Sequence, residues 1–280
     1  MDSATARHRL GAFECLVIKD GTAGSPGLGE LMKPVPPKLA DYALYMEGGL
    51  MLVDTPDRRI LIDVGNGPTR GPRTHAAEAA FEAEGIAPES IDTILLTHGD
   101  PDHIMGLLTA DGDLVYPNAS LVMHRDLWEA WHAPPSAGLY FEGQAAFVRR
   151  LVEVLAHRLD DCGGLFDDER EVVPGIRAIP ALGHRTGHSA YLIESNGERL
   201  LHVGDAAVDP VYLEYPGVEN YRHDTDRERA CSARRMLVER AIAEDAFVVG
   251  SHFQLPGIGR LARIAEDRYA WAPIPDDEST

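Results

Sequence analysis

The sequence predicts an α/β fold, and three observations lead to it. Short apolar segments rich in β-formers recur at close spacing, as at Phe13–Ile18, Tyr42–Val53 and Arg59–Asp63. Segments with helical period separate later strand signals, as at His75–Glu84 and Gln144–Leu159. The chain then repeats itself in outline: each half runs a strand meander into a helix, and each ends strands in histidine and aspartate. At 280 residues, 44% hydrophobic and 25% charged, the chain has enough material for a sizeable core, in one large domain or two small ones.

In chain order, Phe13–Ile18 reads as a short strand, and the Gly/Pro-rich stretch from Asp20 to Pro37 as an extended loop, either a connector or a flap over a pocket. Tyr42–Val53 suggests one or two strands around Gly48-Gly49. Asp57-Arg58 turns the chain into a strand at Arg59–Asp63. Thr74 has the character of an N-cap for a helix over His75–Glu84, and Gly85 of its stop. Ile91–Leu96 is a strand, with a short helix over Asp102–Leu108. Ala119–Met123 is a strand, Arg125–Trp131 a helix and Pro134–Gly143 a loop. In Gln144–Leu159 the residues Phe147, Leu151, Val154 and Leu155 fall on one helical face. Asp160–Glu171 reads as an acidic surface turn. Strands follow at Ile176–Ala181, Ala190–Glu194 and Arg199–Val203, the last two joined at Ser195-Asn196-Gly197. A long helix over Asp226–Glu244 and a strand over Ala246–Gly250 complete the reading.

Composition excludes several classes. The formal charge is −19, which repels polyanions, so neither nucleic acid nor an anionic membrane surface is an expected partner. Cys15, Cys162 and Cys231 are few, odd in number and far apart, which argues against a disulfide framework and for a reducing compartment. No apolar signal core opens the chain and no apolar run reaches spanning length. A soluble cytoplasmic protein is expected.

The densest chemistry is Thr97-His98-Gly99-Asp100-Pro101-Asp102-His103. A strand ending in clustered imidazoles and carboxylates presents them together at a sheet rim, and borderline cations accept both ligand types. A solvated polar turn would have the same composition. Three more candidates weigh against that reading, each just after an apolar segment: His184, Asp205 and His252.

With these residues in view, the chain resembles the metallo-β-lactamase fold superfamily of metallohydrolases. The family pattern His-x-His-x-Asp-His has its counterpart in His98–His103. The pattern Gly-His-x-x-Gly-His is matched by Gly183-His184-Arg185-Thr186-Gly187-His188, the bridging aspartate by Asp205, the last histidine by His252 and a supporting strand-end aspartate by Asp63. The tail around Ser251–Gly259 and Tyr269-Ala270-Trp271 is similar to the branch holding methyl parathion hydrolase and quorum-quenching lactonases, as is Asp20-Gly21-Thr22. The resemblance implies a four-layer αβ/βα sandwich, two mixed sheets with helices outside. It implies one such domain over 1–280, with the long loop at 20–40 and a helical insertion at 132–170. It also implies two divalent ions, zinc first, with iron or manganese as alternatives. One ion would see His98, Asp100 and His184; the other would see Asp102, His103 and His252; Asp205 would bridge them. Asp63 and His188 would support from behind.

Position 100 departs from the pattern, with aspartate where the family has its second histidine. A third carboxylate makes the site harder, shifting preference towards iron or manganese. The resemblance implies a hydroxide shared by two ions that opens a lactone or cleaves an ester or phosphotriester of a small neutral molecule. Asp205 would set the spacing and Asp102 would ligate and move a proton. Two rivals stand beside this hydrolase: a di-iron oxidoreductase, suggested by Asp100, and a non-catalytic ligand-binding member. A small-molecule substrate is the expected partner, and a homodimer is expected because dimers are common in the branch. Tyr212 is the nearest tyrosine after Asp205, with no assigned role. Arg185 and Arg222 read as solvated or ion-paired side chains rather than substrate contacts.

Overall fold

The computed structural model describes residues 4–24, 32–39, 42, 44, 46–67, 76–133, 144–159 and 164–274. Among these, two seven-stranded mixed sheets pack face to face. The first is β1 (Thr5–Leu10), β2 (Phe13–Gly24), β3 (Met46–Asp54), β4 (Arg59–Ile62), β5 (Thr93–Leu95), β6 (Ser120–His124) and β7 (Leu165–Phe166), side by side in chain order. The second is β8 (Arg170–Val173), β9 (Ile176–Pro180), β10 (Ser189–Ser195), β11 (Glu198–His202), β12 (Phe247–Val249), β13 (Ile258–Ala265) and β14 (Arg268–Pro273), again in chain order. Met32–Lys33 pairs separately with Glu219–Asn220.

Three apolar clusters define four layers. The cluster between the sheets takes Cys15, Val17, Met51, Val53, Ile60 and Ile62 from the first sheet and Ala178, Tyr191, Ile193 and Leu200 from the second. The alternate residues Leu16, Ile18, Leu50, Leu52 and Leu61 face outward, yet they too are buried, under α1 (Ala77–Glu84) and α4 (Gln144–Leu159). On the other side Ile179, Leu192, Leu201 and Val248 lie beneath α5 (Val211–Glu214) and α6 (Arg227–Ala243). Strands buried on both faces read as continuous apolar runs, which accounts for Leu50–Val53 and Ile60–Ile62. The remaining helices are α2 (Pro101–Ile104) and α3 (Arg125–His132).

The parallel pairs are β4–β5, β5–β6, β6–β7 and β11–β12. Each needs a crossover, supplied by α1, by α2 with the turn after it, by α3–α4 and by α6. Ligands gather in the crevice beyond the carboxyl ends of such strands, where Asp63, Thr97–His103, Asp205 and His252 leave the sheets.

Several expectations are corrected. The loop expected from residue 20 begins later, because β2 continues to Gly24 beside β3 through two register shifts. Gly21 at φ +106° and a run without alternation hide this extension from periodicity. Asp20 is therefore a strand residue, and its carboxylate accepts from Asn66 N at 2.6 Å and Ala77 N at 3.1 Å. It serves the start of α1; the expected cap Thr74 lies outside the described residues, as does Pro134–Gly143. Tyr42–Val53 holds a single strand, with Gly48 and Gly49 inside it. The expected acidic turn over Asp160–Glu171 gives way at Leu165–Phe166, which joins β6 at the sheet edge, and at Arg170–Val173, which opens the second sheet. β1, β13 and β14 carry no strand assignment in the sequence reading.

Cys15 and Cys231 are buried free thiols, and Cys162 lies outside the described residues. No helix among the described residues is long and apolar enough to cross a membrane.

One buried polar residue sits away from all of this. His8 on β1 is 6% exposed, packs edge-on against Phe247 at 4.6 Å, and neither ring nitrogen has a partner among the described residues. Burial holds its pKa below the ordinary 6.5, against the pull of Glu198. The unfolded chain therefore binds the proton more readily, so stability is complete above pH 6.5 and is lost as pH falls below it. His8→Leu removes this loss. In thermal unfolding of metal-free protein, the variant's melting temperature should gain on the wild type between pH 7.5 and pH 5; parallel curves would refute it.

Candidate metal centre

Asp63 ends β4 with φ +58°, a left-handed conformation that is uncommon outside glycine. That turn aims its fully buried carboxylate at the next strand's end. There it accepts from Thr97 N at 2.8 Å, Thr97 Oγ1 at 2.7 Å and His103 Nδ1 at 2.7 Å. Burial opposes its ionisation, but His103, through charge and hydrogen bond, and then His98 hold its pKa below the usual range. Thr97 Oγ1 spends its one proton on Asp63, so the contact from His98 Nδ1 at 3.0 Å must be donated by the imidazole.

The motif loop is seated by α3. A Cβ at Gly99 would come within 2.8 Å of Leu127 Cδ1 and 3.3 Å of Trp131 Nε1. From the second sheet, the turn after β9 brings His184, and the turn after β11 brings Asp205. Gly204, at φ +53°, lies so close to His188 that a Cβ would meet its Nε2 at 2.9 Å. That nitrogen accepts from Asp205 N at 3.0 Å, while His188 Nδ1 donates to Ala181 O at 3.0 Å. Burial and the neighbouring His98 and His184 rings keep His188 uncharged, its pKa well below 6.5.

The seven residues picked from the sequence meet in one place. Asp100 Oδ2 lies 3.6 Å from His98 Nε2 and 3.9 Å from His184 Nε2. Asp102 Oδ2 lies 3.8 Å from His103 Nε2 and 3.6 Å from His252 Nε2. Asp205 sits between these sets: Oδ2 is 3.9 Å from His98 Nε2, 3.7 Å from His184 Nε2 and 2.9 Å from His252 Nε2, and Oδ1 is 3.5 Å from His103 Nε2. Three groups can each surround an ion: His98, Asp100 and His184; Asp102, His103 and His252; and, across them, His98, His103 and Asp205.

The donor set fits metal. His98 Nε2, His103 Nε2, His184 Nε2 and Asp205 Oδ1 are buried and lack hydrogen-bond partners among the described residues. Each such atom costs about 1–3 kcal/mol unless something binds it. The other nitrogen of each imidazole is taken: His98 by Thr97, His103 by Asp63, His184 by Asp224 at 3.1 Å, and His252 by the Glu47 carbonyl at 2.7 Å. Donation at Nδ1 leaves the Nε2 lone pair facing inward, as in metal-binding histidines generally.

Sequence reading missed two of these supports, Asp224 and the Glu47 carbonyl. Asp224 lies on a loop before α6, with no motif around it. It also accepts from Arg234 Nη1 at 2.9 Å, and the Arg234 guanidinium, 1% exposed, donates further to Ala206 O, Val218 O and Pro216 O. Glu47 contributes through its backbone, which no side-chain pattern can reveal. Arg185 is ion-paired as expected, but with Asp100, Nε to Oδ1 at 2.9 Å. Asp224→Ala would leave Arg234 buried and uncompensated, so it should cost about 3–5 kcal/mol of stability. Denaturant unfolding of metal-free protein measures this, and a loss under 1 kcal/mol would contradict it.

Residues 50–243 match the family model described as Metallo-beta-lactamase superfamily. Two proteins each called a probable metallo-hydrolase, one from Mycobacterium bovis and one from Mycobacterium tuberculosis, are 31% identical over 188 residues, covering 56% of this chain and 56% of each relative. The chain thus spans about half the length of the curated relatives it matches. Among solved structures, the hydrolase AbOPH of the beta lactamase superfamily superposes with a TM-score of 0.81 at 25% identity, covering 98% of this chain and 99% of that one. AidC, a dizinc quorum-quenching lactonase solved with a product, gives 0.79 at 24% identity with the same coverage, a likeness of fold. A probable metal-dependent hydrolase from Staphylococcus aureus gives 0.75 at 20% identity, covering 95% of this chain and 99% of that one.

Proposed function

Because this chain belongs to the metallo-beta-lactamase superfamily, we propose that it is a metal-dependent hydrolase that opens a lactone or cleaves an ester of a small neutral molecule, with a phosphotriester as the next substrate class. The observation that carries this reading is the pair of donor groups sharing Asp205, with the Nε2 atoms of His98, His103 and His184 unpaired among the described residues. His98, Asp100 and His184 would hold one ion, Asp102, His103 and His252 the other, and Asp205 both. Two divalent ions so held would supply Lewis acidity and a water deprotonated near neutral pH. Zinc is the first choice, and the solved dizinc lactonase of the same fold supports it.

The chain's own residues supply the rest. Asp205 is held through its backbone by His188, and its carboxylate between the two groups by His252 Nε2 at 2.9 Å. Asp102 is the most open of the centre's three carboxylates, its side chain 23% exposed. Its Oδ2 faces His103 and His252, which leaves Oδ1 to carry a proton to the leaving oxygen. The acidic surroundings disfavour anionic substrates.

Tyr212, the nearest tyrosine after Asp205, belongs to the apolar core under the helices of the second sheet rather than to the donor groups. Its ring is fully buried on α5, seven residues beyond Asp205, and its hydroxyl has no partner among the described residues. Burial raises its pKa, so the phenol stays protonated and able to donate.

Asp205→Ala and His103→Ala should each abolish metal retention and turnover, read by elemental analysis and by hydrolysis of a lactone, ester and phosphotriester panel. The panel is run after separate loading with zinc, manganese and iron. Turnover by metal-free protein would defeat the proposal. Zinc-loaded protein inactive on every substrate, beside an optically active iron pair, would favour the oxidoreductase.

A further inference from the structure

We propose that Arg185 is the built-in counter-ion of Asp100: it takes one carboxylate oxygen, leaves the other to the metal group, and gives that corner of the centre the net charge of a neutral imidazole. The inference rests on the two-ion reading above and adds to it what makes an aspartate workable at position 100.

The geometry divides the carboxylate cleanly. Arg185 Nε donates to Asp100 Oδ1 at 2.9 Å, with both side chains largely buried. Asp100 Oδ2 stays with His98 Nε2 at 3.6 Å and His184 Nε2 at 3.9 Å. Those separations match the other pairs in the centre, so the ion pair does not pull Asp100 out of it. The guanidinium is braced as well, since Nη1 donates to the backbone carbonyl of His184 at 3.0 Å. One side chain thereby fixes the carboxylate and the turn that presents His184. Only arginine has separate donors for the two tasks; lysine is a single point charge.

The charge count explains why this matters. Asp100, Asp102 and Asp205 bring three negative charges to the donor groups and Arg185 brings one positive. The net of two equals what Asp102 and Asp205 would carry beside a histidine at position 100. In a buried site such a difference acts at short range and little screened. The harder site expected from a third carboxylate is thus offset by a residue the motif does not contain, and the balance favours zinc over manganese or iron.

The test is a coupling measurement on zinc affinity, made with Arg185→Gln, Asp100→Asn, Asp100→His and the two double variants. Zinc is counted by elemental analysis after dialysis, and affinity is read by competition with a chromophoric chelator. Circular dichroism of the metal-free proteins checks folding. Alone, Arg185→Gln should weaken one of two zinc ions roughly 10- to 100-fold, as loss of a ligand's outer partner commonly does, and should shift competition towards manganese. On Asp100→Asn or Asp100→His the same change should strengthen zinc at least threefold, because Asp100 no longer offsets the guanidinium's charge, which then repels the ion. Arg185→Lys should recover the zinc-over-manganese preference but not the full affinity. A merely structural Arg185 would weaken zinc in every background, and that result overturns the proposal. So does a wild type that holds one zinc unaffected by Asp100→Asn. A wild type that retains no zinc removes the two-ion reading and this inference with it, whereas two zinc ions held at wild-type affinity by Arg185→Gln remove this inference alone. The asparagine and histidine pairs report the sign independently, so one misfolded variant does not decide the outcome.

Discussion

Four imidazoles in this protein have Nδ1 spoken for and Nε2 turned inward, where those of His98, His103 and His184 lack a partner among the described residues and that of His252 meets Asp205. Thr97 Oγ1, the Asp63 and Asp224 carboxylates and the Glu47 carbonyl each take an Nδ1. The rings are then locked in tautomer and direction, with Nε2 lone pairs converging on carboxylate oxygens 2.9–3.9 Å away. Burying that many unmatched acceptors is costly unless a cation claims them. The architecture around the centre serves that one arrangement.

Asp63 is where the cost is concentrated on the first-sheet side. It adopts a left-handed backbone, gives up its solvent entirely and gathers three donors from two ends of the motif loop. Strain of this kind persists only where surrounding contacts over-determine it. On the second-sheet side the corresponding weight falls on Arg234, a fully buried guanidinium whose ion pair with Asp224 ties His184 to α6. The two supports differ because the loops differ. The first loop is short and is held by the end of the neighbouring strand, whereas His184 sits on a turn that reaches α6 through a carboxylate.

Much of the layered fold was legible because both faces of the central strands are covered. Continuous apolar runs such as Leu50–Val53 and Ile60–Ile62 mark such strands wherever they occur. Legibility failed at the margins. β2 runs on through Lys19–Gly24 without alternation, held by pairing to β3 across register shifts. Leu165–Phe166 is too short to carry a period and exists as a strand only because β6 offers an edge. The last hairpin, β13 with β14, buries only Ile258, Gly259 and Tyr269, the rest being half-buried or exposed, so its apolar signal is weak and the paired backbone supplies much of its order.

Sequence alone determined the chemical inventory, since imidazoles and carboxylates grouped at strand ends have few other uses and their spacing survives any detail of packing. Which atoms those residues offer was decided only in three dimensions. Asp224, Arg185 and the Glu47 carbonyl are separated along the chain from the histidines and carboxylate they hold or face across a turn, so no local pattern can link them. The charge at position 100 is the clearest case: read along the chain, Asp100 adds a negative charge to the centre, and only the fold reveals that Arg185, 85 residues away, takes it back.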